Sequence, residues 1–331
     1  MQRWNSLADI PAGYGPTVAT LGNFDGMHLG HQGLIRTVVA RARERGAKAV
    51  AVTFHPHPAV IHQAARELPQ LQGLEDRLDA IEALGVDAVL VVPYTLEFSR
   101  LTPWQFAHDY LVRALAVDEV VVGRDAHFGA DNSGDLATMR RLGEELGFAV
   151  LGIEDWSDPD GAAGARWSSS AARSALAGGD AAGAARVLGR PHRVIGEVVR
   201  GDGRGRALGF PTANLGGDIS GMIPADGVYA GYIVRLAPPA AAQDALLPAA
   251  ISVGVNPTFA GVGSLDRRVE AYALGRDDLE LYGERVAVDF VARLRHTLAF
   301  ADPAALVTQM HDDAAAAARV LLGDRLAAPG G

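Results

Sequence analysis

Residues 20–35 read TLGNFDGMHLGHQGLI, and this stretch decides the fold of the first half of the chain. A short apolar strand is expected to end near Phe24, and an amphipathic helix is expected to begin near Gly30. Glycines and two histidines, His28 and His31, occupy the turn between them. A buried strand that passes directly into a helix is typical of an alternating strand–helix domain with a parallel sheet.

The same alternation continues through the first half. The apolar stretches KAVAVTF, VDAVLVVPY, VDEVVVG and FAVLGI predict strands, and the amphipathic stretches between them predict helices. Because the strands are continuous runs rich in Val, Ile and Leu, we predict a doubly wound parallel sheet covered by helices on both faces. Two short helices, broken at Gly178 and Gly179, are expected to follow.

After Gly189 the pattern changes to short strands with turn signals, and no long helix is predicted before the one near the C-terminus. This pattern predicts an antiparallel barrel or sandwich with one terminal helix. We therefore expect an α/β domain at residues 1–187 and a β domain at residues 188–331, and the fold class is α/β plus β.

Composition limits the class of protein. The 331 residues carry a formal net charge of -9, whereas a general nucleic-acid binder more often shows a basic face. The chain has no cysteine, which excludes disulfides, thiolate nucleophiles and cysteine-ligated zinc. No secretory signal and no long apolar stretch are visible, so we expect a cytoplasmic protein.

The glycine-rich turn is expected at the carboxyl ends of the strands, where ligands bind in open parallel sheets. Glycines such as Gly22 let the backbone approach a ligand, and the free N–H groups of the following helix attract phosphate. His28 and His31 can donate hydrogen bonds to charge that develops on a phosphate oxygen. The favoured prediction is a nucleoside triphosphate site. The alternative is that both histidines cap the helix or face solvent.

Other motifs fall on the same predicted edge. HPHP at residues 55–58 and GRDAHFG at residues 123–129 each follow a strand. A metal site formed by His55, His57 and His62 is an alternative that two prolines and the lack of a matching carboxylate disfavour. Further along, SSSAAR at residues 168–173 predicts serine caps at a helix start, or a second phosphate clamp that uses the arginine.

Taken together, G-x-F-D-G-x-H-x-G-H, T-F-x-P-H-P, G-x-[ND]-x-x-F-G and S-S-[ST]-x-x-R resemble the adenylyltransferase module of the prokaryotic bifunctional riboflavin kinase/FAD synthetase family. The resemblance implies transfer of AMP from ATP to FMN, with release of pyrophosphate. It implies that His28 and His31 stabilise the transition state at the α-phosphate. It also implies nucleotide or phosphate contacts at Gly22, Phe24, Asp25, Gly30, Ser170 and Arg173, and flavin contacts at Asp125 and Phe128.

The chain departs from the family pattern at several positions. Ala126 stands where the family usually has an aromatic residue, and Ala171 and Ala172 replace longer or branched residues. Trp167 replaces an aliphatic residue. A missing aromatic group near the flavin is expected to weaken FMN binding.

A second candidate site begins at residues 201–215, GDGRGRALGFPTANL. The stretch lacks the G-K-[ST] of a Walker A loop and the third glycine of a dinucleotide-binding fingerprint. Thr212 and Asn214 offer oxygens two residues apart, on one side of an extended chain, and oxygen ligands suit Mg²⁺. Glu270 lies within an apolar strand, where the alternative is an outward-facing carboxylate paired with Arg267 or Arg268.

In this order the later motifs resemble the riboflavin kinase module of the same family, and the match extends from about Thr20 to Phe300. The resemblance implies that Glu270 is the catalytic base and that Thr212 and Asn214 bind Mg²⁺ with ATP. It also implies nucleotide contacts at Gly201 and Gly209 and a flavin contact at Arg295. A base is needed here because riboflavin attacks through a hydroxyl group, whereas the FMN phosphate is already ionised.

The implied function is synthesis of FMN and then FAD, with ATP, riboflavin and FMN as small-molecule partners and Mg²⁺ as cofactor. No nucleic acid and no membrane are expected, and self-association stays open. Two alternatives also stay open. One is an active kinase with an impaired adenylyltransferase, and the other is a non-catalytic flavin-binding or regulatory protein.

Overall fold

The computed structural model describes residues 1–62, 68–154, 166–201, 205, 208–237, 239, 242–255, 267–300 and 302–323. The chain divides into two compact units. The sheet unit comprises Met1–Pro69 and Gly73–Ser169, and the barrel unit comprises Gln70–Gln72 and Ser170–Gly331. The predicted boundary of the catalytic modules at residue 188 stays a prediction.

The sheet unit contains a six-stranded sheet in the order β1-β4-β3-β2-β5-β6, with every pair parallel. Its strands are β1 (Gln2–Trp4), β2 (Thr17–Leu21), β3 (Lys48–His55), β4 (Ala88–Pro93), β5 (Val117–Gly123) and β6 (Ala149–Ile153). The chain runs outward from β2 to β4 on one side and from β5 to β6 on the other. The crevice between β2 and β5 is therefore the topological switch point, where open parallel sheets bind ligands.

Helices cover both faces of this sheet, as the sequence predicts. They are α1 (Leu29–Arg45), α2 (Pro58–His62), α3 (Leu74–Glu82), α4 (Pro103–Phe106), continued by the π-helical stretch Ala107–Ala114, and α5 (Leu136–Leu146). Alternate residues of β2 enter opposite cores: Ala19 packs into one apolar cluster and Val18 into the other. The helix α1 ends at Gly46, whose φ of 63° is a left-handed cap that favours glycine.

The barrel unit is a closed antiparallel barrel in the order β10-β11-β8-β7-β12-β9. Its strands are β7 (His192–Val199), β8 (Thr212–Ser220), β9 (Gly227–Arg235), β10 (Leu246–Val255), β11 (Arg267–Ala273) and β12 (Arg285–Arg295). Pairing of β9 with β10 closes the ring, so a barrel forms and not a sandwich. The helices α6 (Ser169–Gly178) and α7 (Ala181–Leu188) precede it, and the terminal helix α8 (Pro303–Leu322) follows it.

Four elements differ from the sequence prediction. The strand β8 was not among the predicted strands, because TANLGGDIS contains Asn, Asp, Ser and two glycines and only Ala213 and Leu215 alternate into the core. The short elements β1 and α2 were not predicted, since each is five residues or fewer. The strand β2 ends at Leu21 and not near Phe24, because Phe24 adopts a left-handed φ of 50° that no strand continues.

Candidate functional site

The histidine-containing turn lies at the switch point of the sheet. The turn after β2 and the loop after β5 both border a cleft of about 230 Å³. Six of the residues lining it are His28, Gly30, His31, Asp125, Arg166 and Trp167. The cleft thus brings together residues from three separate sequence motifs, because Ser168 and Ser169 also line it, together with Arg166, which no motif contains.

His28 and His31 form a stacked pair at the start of α1. Their ring centroids are 3.6 Å apart with an interplanar angle of 24°, and the Phe24 ring meets the His31 ring edge-on at 5.3 Å. His28 is the N-cap of α1, and its Nδ1 accepts a hydrogen bond from the His31 backbone N–H at 3.3 Å. A Cβ at Gly30 would lie 3.1 Å from this Nδ1 atom, so the glycine lets the ring take its place.

Both imidazoles favour the neutral form. Burial lowers the pKa of His28 to about 4, with a further contribution from Arg166 that Asp125 and Asp25 oppose. Burial, followed by the charges of His28 and Arg77, holds the pKa of His31 well below its usual value. Because Nδ1 of His28 accepts a hydrogen bond, the proton of its neutral ring is assigned to Nε2.

Three predicted nucleotide-binding residues, Gly22, Phe24 and Asp25, make contacts that support the histidine-containing turn. The Gly22 N–H donates to the Val52 carbonyl at 3.0 Å, and Phe24 is fully buried. Asp25 is 2% exposed, and its backbone carbonyl accepts a hydrogen bond from Ser169 Oγ at 2.7 Å. These contacts shape the turn, and direct contact of the three residues with a nucleotide stays a prediction.

The loop after β5 supplies the other wall of the cleft. The Asp125 carboxylate pairs with Arg166, and its backbone carbonyl accepts a hydrogen bond from His127 Nδ1 at 2.8 Å. Phe128 is 6% exposed and belongs to an apolar core cluster, against which Ala126 also packs. The flavin contacts of Asp125 and Phe128 stay predictions.

The serine–arginine motif extends across the beginning of α6. Ser168 and Ser169 line the cleft of the sheet unit. Ser170 and Arg173 belong to the barrel unit, and their ATP contacts stay predictions. Ala172 is fully buried in a small apolar cluster with Leu176, which accounts for a small apolar residue at that position.

The histidines near α2 make local contacts. The Nδ1 atom of His57 accepts a hydrogen bond from the Ala59 N–H at 3.1 Å, and His62 Nε2 lies 2.8 Å from the Tyr94 hydroxyl. Among the residues that the structure describes, no group of three histidine or acidic side chains is placed to hold a metal ion.

The second candidate site lies on the outer face of the barrel. In the pairing of β8 with β11, Glu270 is directly opposite Asn214, and Tyr272 is opposite Thr212. The alternate residue Ala271 is fully buried in the barrel core, so Thr212, Asn214 and Glu270 share the outward face. The Nδ2 atom of Asn214 donates to the carbonyl and to the hydroxyl oxygen of Thr212, each at 3.2 Å.

Two glycines and an aromatic residue precede this cluster. A Cβ at Gly201 would lie only 2.6 Å from Asn214 Oδ1, so this position requires glycine. Gly209 has a φ of 86°, which also favours glycine. Phe210 then packs edge-on against Tyr272 and His311, at centroid distances of 5.0 and 4.8 Å.

Two arginines considered from the sequence make other contacts. The Arg267 guanidinium forms an ion pair with Asp226 at 2.7 Å, and this is the ion pair described for Arg267, in place of the one considered with Glu270. Arg295 forms a two-pronged pair with Asp313 of α8, at 2.8 and 2.6 Å. Its flavin contact stays a prediction.

One buried functional candidate was missed by sequence reasoning. Arg77 of α3 is 1% exposed and donates to the Asn23 carbonyl of the histidine-containing turn at 2.7 Å. A signal was present, because Arg77 follows Leu74 by three residues and precedes Ile81 by four. That spacing places an arginine on the apolar face of a helix.

Comparison with known proteins assigns a domain to each candidate site. The family model for FAD synthetase matches residues 11–164, and the model for riboflavin kinase matches residues 188–321. The first match contains His28, His31 and Asp125 of the cleft and ends before Arg166, and the second covers the Thr-Asn-Glu cluster on the barrel. The two matches define a chain with a nucleotidyltransferase domain and a kinase domain.

Relatives with both domains match most of the chain. Bifunctional riboflavin kinase/FMN adenylyltransferases of Escherichia coli K12 and Bacillus subtilis 168 are 34% and 33% identical, with about nine-tenths of each chain covered. The Pseudomonas fluorescens protein of the same name is 33% identical, covering 96% of this chain and 97% of its own. The chain belongs to the bifunctional riboflavin kinase/FMN adenylyltransferase family, which confirms the resemblance found in its motifs.

A solved structure also resembles the chain. A Streptococcus pneumoniae crystal structure described as a macrolide-efflux protein has a TM-score of 0.80 and 28% identity, and it covers 94% of this chain and 96% of its own. In the described part of the present chain, no helix has the length and apolar character needed to cross a membrane.

Proposed function

We propose that the chain phosphorylates riboflavin to FMN with ATP in its kinase domain. It then adenylylates FMN to FAD in its nucleotidyltransferase domain and releases pyrophosphate. One observation carries the proposal: the two sites differ as their substrates require. A neutral histidine pair lines one site, and a carboxylate lies beside Thr212 and Asn214 in the other.

Adenylyl transfer needs donors but no base. An FMN phosphate oxygen attacks the α-phosphorus of ATP, a new P–O bond forms, and pyrophosphate leaves with the electron pair of the broken bond. The attacking phosphate is already ionised at neutral pH. His28 and His31 supply N–H donors that stabilise negative charge on the α-phosphate oxygens. In His28 the helix cap uses Nδ1, which leaves Nε2–H for this role.

Phosphorylation of riboflavin needs a base. The 5′-hydroxyl of riboflavin is a weak nucleophile while it keeps its proton, and Glu270 accepts that proton as the oxygen attacks the γ-phosphorus. The P–O bond to ADP breaks, and ADP leaves. The register of β8 and β11 supports this role, because it places Glu270 beside Asn214.

The kinase site has a donor set that fits Mg²⁺. The hydroxyl and backbone carbonyl oxygens of Thr212 lie beside the side-chain amide of Asn214, and hard oxygen donors are the ligands Mg²⁺ prefers. We propose that these residues hold Mg²⁺ together with ATP. The ion would neutralise charge on the phosphate oxygens. Loss of riboflavin phosphorylation on chelation, with recovery when Mg²⁺ is restored, tests this assignment.

Chromatography of flavin products tests the function as a whole. The full chain is incubated with Mg²⁺, ATP and either riboflavin or FMN. FAD from both substrates is the expected result. If neither FMN nor FAD formed from riboflavin, and no FAD formed from FMN, the proposal would be wrong.

A second candidate function is an active kinase with an impaired adenylyltransferase. Ala126 favours it, because this alanine packs against the apolar core where the family usually has an aromatic residue. Trp167 lines the same cleft as Asp125 and offers an aromatic surface in its place. FMN that accumulates from riboflavin, with no FAD from either substrate, would select this second candidate.

A further inference from the structure

Arg77 is a buried cation in the sheet unit. It is 1% exposed and stands first among the largest fully buried side chains of the described chain. A guanidinium in such a place has lost its hydration, so its protein contacts must replace that hydration. Within the described residues its hydrogen-bond acceptors are uncharged oxygens. Burial lowers the pKa of Arg77, and the nearby charge of Asp25 opposes this effect.

The contacts of Arg77 join two loops at the carboxyl edge of the sheet. Its Nη1 atom donates to the Asn23 carbonyl at 2.7 Å, to the Phe54 carbonyl at 3.2 Å and to Thr53 Oγ1 at 3.3 Å. The Thr53 hydroxyl in turn donates to the Asn23 carbonyl at 3.3 Å. Asn23 belongs to the turn after β2, and the other two residues belong to the end of β3. Arg77 therefore fastens the histidine-containing turn to the neighbouring strand.

The turn that it fastens has an unfavourable backbone. Phe24 and Met27 have φ values of 50° and 41°, a left-handed conformation that bulky residues adopt only where their surroundings hold them. Phe24 directly follows Asn23, and its ring meets the edge of His31, which stacks on His28. A displacement of the Asn23 carbonyl would therefore move the imidazoles through packed rings.

We propose that Arg77 is a positioning residue for adenylyl transfer, which fixes the Asn23 carbonyl and thereby holds His28 and His31 in their reactive places. The inference rests on the function proposed above for the sheet unit. A second effect acts in the same direction, since the charge of Arg77 lowers the pKa of His31 and favours its neutral form.

The test compares Arg77→Met and Arg77→Lys in the full chain. Steady-state kinetics of FAD formation from FMN are measured, and riboflavin phosphorylation in the same preparation reports on the other domain. We expect Arg77→Met to lower kcat at least about tenfold, because small displacements of catalytic groups are costly. The KM for FMN should stay within about twofold, since Arg77 contacts no substrate in this proposal. Arg77→Lys keeps the cation, so its kcat should be at least about threefold higher than that of Arg77→Met.

A matched control separates positioning from general destabilisation. Leu142→Ala removes a buried side chain of α5, from the apolar cluster of the sheet unit that does not contain Phe24 or Met27. It should lower Tm while leaving kcat for FAD formation close to wild type. If Arg77→Met does not fold, Thr53→Val serves instead, since it removes one hydroxyl of the same network. It should lower kcat about two- to fivefold.

The outcomes are distinguishable. A folded Arg77→Met variant with kcat within twofold of wild type would overturn the positioning role. An equal loss of kcat in Leu142→Ala at the same Tm would also overturn it. Should Arg77→Met not fold, an unchanged kcat in Thr53→Val would overturn it. A wild-type chain that forms no FAD from FMN would overturn the proposed function itself, and this inference with it.

Discussion

The turn after β2 and the outward face of β8 and β11 are both proposed to surround ATP, yet their functional side chains sit in different environments. His28 is 7% exposed and is held neutral by burial, whereas Glu270 lies half-buried on the outside of the barrel. Burial suits a residue that must donate a hydrogen bond without gaining charge. A more open position suits a carboxylate that must stay ionised until it accepts a proton. The difference follows the attacking group: a phosphate in one site, an alcohol in the other.

Glu270→Gln should show the largest effect. The amide keeps the shape of the side chain but cannot accept the proton of the riboflavin hydroxyl. Riboflavin phosphorylation should therefore fall by about 10²- to 10⁴-fold, as for loss of a general base. FAD formation from supplied FMN should remain, and both rates can be measured in one preparation. Loss of both activities in a folded protein would contradict the separation of the two sites.

His28→Ala and His28→Asn divide the two roles of this residue. Asparagine is a good N-cap without an imidazole, whereas alanine removes both functions. FAD formation from FMN should fall about 10²- to 10³-fold in both variants, because each loses a donor to the transition state. Only His28→Ala should also lose about 1 kcal/mol of unfolding free energy. If His28→Asn kept the wild-type rate, the histidine would be a helix cap alone.

The free energy of unfolding of the sheet unit should depend on pH through its buried His28. The folded-state pKa of His28 is about 4, below the unfolded value near 6.5, so the folded state disfavours the charged ring. The contribution of the neutral His28 ring to the free energy of unfolding is fully present above pH 6.5, and it is lost as pH falls toward 4. Between pH 7 and pH 5 this linkage removes about 2 kcal/mol from the unfolding free energy of the sheet unit.

Urea unfolding at the two pH values measures this loss. His28→Asn is the control, because it keeps the cap and removes the titrating ring. Between pH 7 and pH 5, the free energy of unfolding of the variant should fall by about 2 kcal/mol less than that of the wild type. Equal losses in the two proteins would show that the buried histidine does not control the acid sensitivity of this unit.

The sequence predicts most of the fold and the positions of both sites, for physical reasons. Long apolar strands fix the parallel sheet, and carboxyl ends of parallel strands converge at one edge, so the residues of the His28 and Asp125 loops are expected together. The strand β8 escapes prediction because its only core residues are Ala213 and Leu215 among turn-forming neighbours. Its place is fixed by pairing with β7 and β11, which only the folded barrel shows.

The supporting contacts of the sites are harder to predict. Arg166 pairs with Asp125 across 41 residues of sequence, a tertiary contact that no local pattern contains. Arg77 lies on the apolar face of α3, but burial of an arginine becomes informative only when its acceptors are known. Sequence motifs thus identify groups that act on substrate more readily than groups that hold them in place.

The smallest expected effects come from two glycines that make room for functional side chains. A Cβ at Gly201 would lie 2.6 Å from Asn214 Oδ1, and one at Gly30 would lie 3.1 Å from His28 Nδ1. The first contact cannot be tolerated unless Asn214 moves, whereas the second needs a shift of a few tenths of an ångström. Gly201→Ala should therefore lower riboflavin phosphorylation about tenfold, and Gly30→Ala should lower FAD formation only about two- to threefold.

Gly254→Ala is the matched control for the barrel, because an added Cβ there meets no atom of the described residues within 4 Å. It should leave the phosphorylation rate unchanged. Equal losses in Gly201→Ala and Gly254→Ala would mean that alanine disturbs the barrel and not Asn214. A tenfold loss in Gly30→Ala would show that the stacked histidines tolerate less displacement than Asn214 does. The buried site would then depend on the closer geometric fit, as expected where neutral donors must meet charge that exists only in the transition state.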